Sequence, residues 1–253
     1  MRDFVQSHSI VRTVWGNSDI ILLIFAGSAA EFALNRAVDW LFFTNQIPRD
    51  PIGRLFSTVR YAQEIVFVDE ATAQRTLDRI SAIHHAVERQ RGQKIPEWAF
   101  RDVLYMLVDY SERAYELLYR PLTLAERQEM FAAFRRVGAG MHIPDLPETY
   151  AAYQADRHRH LDRDLAFSRY TDLLYKEYRR HLGAWRYELL LHVQSLLVPE
   201  QVLRLLRLRR SPLLSHALWL YRIFDELQLR SLVQWALLPP RYLDEVRQME
   251  RAA

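Results

Sequence analysis

His84 is the residue whose type and placement point most directly to chemistry. Leu77, Ile80, His84 and Val87 recur at i, i+3, i+7 and i+10, the spacing of one helix face. An imidazole on such an apolar stripe keeps a nitrogen lone pair free in a low dielectric, as an axial ligand of haem iron requires. The other reading is a core histidine with both nitrogens satisfied. His85 instead shares a polar face with Asp78, Ser81 and Arg89. A second stripe, Arg54, Thr58 and Tyr61 at i, i+4 and i+7, sets a guanidinium fork beside two hydroxyl donors. The fork suits a carboxylate bound through two parallel hydrogen bonds; otherwise Arg54 satisfies the carbonyl end of a neighbouring helix. A third stripe, Tyr105, Asp109 and Arg113 at i, i+4 and i+8, has the acid four residues before the base, the favourable order for an intrahelical ion pair. Val103, Leu104, Met106, Leu107 and Val108 make the surrounding helix apolar nearly all round. The stripe is therefore expected to be partly buried, either as a structural pair or as part of a site.

The other histidines carry less. His158 and His160 sit among Asp156, Arg157, Asp162 and Arg163 and read as a solvated face. Glu177 with His181 and Glu188 with His192 stand at i, i+4, whereas a di-iron bundle requires paired Glu-x-x-His motifs and two further glutamates. No zinc motif, phosphate-binding loop, dinucleotide fingerprint or nucleophile elbow is present. The chain has no cysteine, which excludes disulfides, thiolate metal sites and iron–sulfur clusters.

The elements that must position these residues are punctuated clearly. Of 253 residues, 50% are hydrophobic and 12% aromatic, enough for a sizeable core. Seven glycines and ten prolines fall between segments of helical period. Ser18 is expected to cap a long helix running to Thr44. Asp50 with Pro51 opens a second, to Val68, and Asp69 a third, to Arg91, stopped by Gly92. Pro96 and Glu97 open a helix reaching Tyr119. Thr123 and Glu126 have capping-box spacing for one ending by Gly138. Beyond Pro147, helices are expected near 148–160, 164–181, 184–197, 200–209, 213–236 and 240–251. The prediction is a single all-α domain over residues 1–253. The apolar run Ile20 to Ala30 is too short to span a bilayer and is followed at once by Glu31, Arg36 and Asp39, so it reads as a buried helix. No secretory leader is visible, and a cytoplasmic location is expected. The formal net charge is only +3. Arg204, Arg207, Arg209 and Arg210 are the best candidate for a basic patch, at a helix C-terminus where positive charge is favoured anyway, so no nucleic-acid partner is expected.

Four segments resemble, in order, the catalytic domain shared by MpaB-type oxygenases and the latex-clearing rubber oxygenase: DPIGRLFSTVRY at 50–61, RISAIHHAV at 79–87, LVDYSERAY with PLTLAER at 107–115 and 121–127, and IPDLPETY at 143–150. The resemblance covers about residues 15–153 and fades over 154–253, where chiefly LLPP at 237–240 matches. It implies a multi-helix domain with a globin-like core holding haem b, used with dioxygen on an apolar, isoprenoid-type substrate. On that pattern Arg54, Thr58, Tyr61 and Asp109 are the catalytic candidates. His84, Tyr105, Arg113 and Arg79 are the cofactor-binding ones, with His84 as iron ligand and an arginine on a propionate. Two family features are missing. Where members carry a His-Pro pair in the first helix, this chain has FAGSAAE at 25–31, and where they carry a histidine before LVD it has LYM at 104–106. Tyr105 is therefore a second candidate axial ligand. The alternative is a divergent member without haem, serving as an apolar-ligand carrier or interaction module. Peripheral membrane contact is a third reading, resting on the apolar first helix and the basic surface.

Overall fold

Side-chain caps start most of the helices. In the computed structural model, which describes residues 2–43 and 50–210 with Pro239, Tyr242 and Asp244, Asp50 accepts from the Gly53 amide and opens α4 (Pro51–Val66). Asp69 accepts from the Ala71 and Thr72 amides and opens α5 (Glu70–Arg91), which Gly92 ends at φ 68°, a left-handed conformation that favours glycine. α6 (Glu97–Leu118) follows Pro96, and Thr123 and Glu126 close a reciprocal capping box on α7 (Leu124–Gly140). Before these come α1 (Ile10–Trp15), α2 (Ser18–Phe32) and α3 (Asp39–Phe43). After them come α8 (Tyr150–Arg163), α9 (Arg169–Leu182), α10 (Ala184–Leu197) and α11 (Glu200–Leu206). Among the described residues there is no strand, only two isolated bridges, Asp3 with Asp69 and Asn35 with Leu165. The expected helices at 213–236 and 240–251 lie outside the described residues.

Two expectations at the N-terminus are corrected. The cap of α2 is Asn17, whose Oδ1 accepts from the Asp19 and Ile20 amides, not Ser18. The helix also stops at Phe32 instead of running to Thr44. The stop has a tertiary cause, because Asn35 is claimed from three sides. Its Oδ1 accepts from the Ala37 amide, its Nδ2 donates to Asp102 on α6, and its backbone bridges Leu165. With Arg36 N donating to Asp164 O at 2.9 Å and Ala166 N to Leu34 O at 2.8 Å, residues 34–36 hydrogen-bond across the end of α8 and cannot continue a helix.

α2 is the central element and packs along α6. Ile20, Ile21, Ile24 and Ala30 are fully buried, so the run read as a buried helix is one. At Gly27 an added Cβ would fall 2.3 Å from the Tyr110 ring, so glycine is what allows the two helices to approach this closely. α1 and α10 flank α2, α4 pairs with α5, α9 with α10, and α7 and α8 close over α6. One hydrophobic cluster runs from Phe4 to Tyr242, as a single core requires.

Candidate functional site

Face periodicity carries over to α5. Leu77 is fully buried, Ile80 packs against the core, His84 and Val87 are half-buried, and His85 is exposed and pairs with Glu88 at 3.0 Å. The His84 ring meets Phe100 edge-on at 5.2 Å. Its Nδ1 is buried with no hydrogen-bond partner among the described residues. Burial first, then the Arg54 charge, lowers its pKa from 6.5 to about 4, so at neutral pH the imidazole is uncharged and keeps a lone pair.

Arg54 thus stands close enough to His84 to oppose its protonation, and it donates to Ser57 Oγ at 2.8 Å. Thr58 turns its hydroxyl back onto the Arg54 carbonyl at 3.2 Å. Tyr61 lies under the Arg79 guanidinium at 5.3 Å, and Arg79 also pairs with Glu64. The stripe therefore forms the α4–α5 contact. Arg54 is within electrostatic reach of His84 there, and Tyr61 and Arg79 meet further along it.

Tyr105, Asp109 and Arg113 lie elsewhere. Tyr105 is buried and donates to Asp156 at 2.7 Å. Burial, then that bond, holds its phenol far above the usual range. Asp109 accepts from Arg113 Nε at 2.8 Å and from Arg157 at 3.0 Å. Arg157 grips Glu31 through both oxygens at 2.5 and 2.6 Å, and Tyr110 donates to Glu31 at 2.9 Å. The ion pair expected inside α6 is thus one edge of a buried network joining α2, α6 and α8. Burial drives the Glu31 carboxyl upward against the pull of Arg157. For Asp109 the two arginines outweigh burial and lower it.

The reading of His158 and His160 as a solvated face needs correction. His158 is exposed, but His160 is 2% exposed, with Arg157 at 4% and Asp164 at 4%. The misleading signal was composition. α8 buries Tyr150, Tyr153, Arg157, His160 and Leu161, and that period was legible through the charges.

An apolar cleft opens between α2, α4, α9 and α10. Ile21, Phe25, Ile52, Phe56, Val59 and Leu190 are among the side chains that line it, and it encloses about 830 Å³ of empty space, part of it open to solvent. Tyr178 and Arg186 are its polar edge. That lining suits a small apolar ligand. The cleft uses the Ile52, Phe56 and Val59 face of α4, while Arg54, Thr58 and Tyr61 lie half a turn round on the opposite face. No histidine lines the cleft among the described residues. Among these residues no helix is long and apolar enough to cross a membrane.

For a haem, the fit is uneven. His84 offers a buried, neutral, unpartnered nitrogen with a guanidinium nearby, whereas Tyr105, Arg79 and Arg113 are committed to carboxylates. The residues present therefore fit the group at His84 and Arg54. The family model described as "ER-bound oxygenase mpaB/B'/Rubber oxygenase, catalytic domain" matches residues 13–246. It thus extends through the C-terminal hundred residues, where the sequence pattern alone resembled the family only loosely. No curated protein and no solved structure matches the chain.

Proposed function

The chain belongs to the family of mpaB-type and rubber oxygenase catalytic domains, and from that membership we propose that it is a haem-dependent oxygenase acting on an apolar, isoprenoid-type chain. The observation that carries the haem is the buried His84 nitrogen, neutral and without a partner among the described residues. A buried polar atom left unsatisfied is costly, and a ligand to it removes the cost. In this reading the surrounding helices make the globin-like, haem-holding core. When bound, haem supplies the iron chemistry that activates dioxygen. His84 holds the group, and its unprotonated state is kept by burial and by Arg54. Arg54 offers its guanidinium fork to a propionate. The apolar cleft, on the far face of α4, would hold only a stretch of the substrate chain remote from the reacting bond. Thr58 and Tyr61, on the Arg54 face of α4, would line the approach to His84, and Asp109 with Arg113 would stiffen the scaffold where α2, α6 and α8 meet.

A second reading, a carrier of apolar ligands without haem, is favoured by one specific observation. The cleft has no metal-ligating nitrogen in its described lining, and α4 stands between it and His84. An absorption spectrum of protein produced with haem precursor separates the two. A Soret band at about one haem per chain, lost in His84→Ala, is the expected result. The oxygenase reading further expects a long-chain alkene to shift that band. A featureless spectrum after added haemin, with the alkene still bound, would establish the carrier.

A further inference from the structure

Asp102, His160 and Asp164, all buried, converge with one donor atom each lying within 4.8 Å of the others. We propose that they form a structural site for a divalent transition metal of the zinc–manganese class, separate from the haem position. Asp102 comes from α6, His160 from α8 and Asp164 from the residue that ends α8. His160 Nδ1 lies 3.2 Å from Asp102 Oδ1 and 2.8 Å from Asp164 Oδ2. At these distances a hydrogen bond is expected, yet Nδ1 and Asp102 Oδ1 both lack one. The two oxygens thus flank the ring nitrogen and are out of line with it. Ligand atoms placed about 2.0–2.2 Å from one metal ion stand in this relation to one another.

The surroundings complete the argument. The free Asp102 oxygen takes the Asn35 amide. Arg163 holds both oxygens of Asp164 at 2.7 Å, orienting the carboxylate and offsetting its charge. On the far side of the ring, Nε2 faces Asp156 Oδ2 at 3.7 Å, itself fixed by the Tyr105 hydroxyl at 2.7 Å. At that distance the carboxylate makes no hydrogen bond to Nε2 and faces the ring only as a nearby negative charge. One nitrogen and two carboxylate oxygens suit zinc or manganese better than a thiolate-seeking metal. A water completes the shell. The ion would staple the 34–38 turn and the start of α6 to the end of α8, where the backbone already crosses.

The test uses full-length, tag-free protein and does not depend on haem. Elemental analysis should find roughly one zinc or manganese per chain, removable by dipicolinate and restored by adding either metal. For the stripped protein, free zinc about 100 times above Kd should raise Tm by about 5–10 °C. Cobalt in its place should give visible d–d absorption, lost in Asp102→Asn and in His160→Gln. Wild-type protein needs no variant to decide the matter. Metal below about a tenth of an equivalent, with no Tm response to zinc or manganese, would overturn the proposal. His160 would then be a buried structural side chain set between Asp102 and Asp164. Iron counted with haem bears on the oxygenase reading alone, so the two can fail separately.

Discussion

At the scale of the residue, His84 carries the main consequence for pH. Its folded pKa, lowered from 6.5 to about 4 by burial and then by Arg54, lies below the unfolded value. The unfolded chain therefore binds more protons across that interval. The stability that His84 contributes by staying neutral is fully present above about pH 6.5 and is lost as pH falls through about 4. In haem-free protein, denaturant unfolding from pH 7 to 4 should show an acid limb that His84→Gln flattens. An unchanged limb would mean that another group carries it. The same residue was visible as one face of an apolar stripe, whereas the isolation of its Nδ1 depends on what packs around it. Arg79 and Tyr105 show the converse: their chemistry suited a cofactor, but Glu64 and Asp156 engage them from other turns of the fold.

At the scale of the element, the caps at Asp50, Asp69 and Thr123 act through neighbours in sequence and were read directly. The end of α2 was not, because Asn35 is recruited by Asp102 and Leu165, far along the chain. The α2–α6 contact rests on a position with no side chain. Gly27→Ala would drive a methyl into the Tyr110 ring. The gain in helix propensity, about 1 kcal/mol, should be outweighed by overpacking of about 1–3 kcal/mol. A urea midpoint below wild type with an unchanged slope is expected. A stabilised Gly27→Ala protein would show that Tyr110 has room to swing aside.

At the scale of the whole molecule, Arg157 ties α8 to α2 and α6 through Glu31 and Asp109. Arg157→Met keeps much of the volume but leaves the buried Glu31 without its cation, while Asp109 keeps Arg113, and breaking a buried pair in this way costs about 3–5 kcal/mol. Equilibrium unfolding should register that loss, and Glu31→Gln in the Arg157→Met background should recover part of it. Full additivity of the two changes would mean that they do not interact. Sequence by itself determined the all-helical class, most helix starts, the burial of the 20–30 run and the family, because caps, breakers and the 3.6-residue period are local. Only the tertiary structure decided which polar residues meet. It joined Glu31 to Arg157, brought Asp102 to His160, and set Arg54 and the apolar cleft on opposite faces of α4. Charges on a helix look solvated until another helix covers them, and the partner that covers α8 lies more than a hundred residues away in the chain.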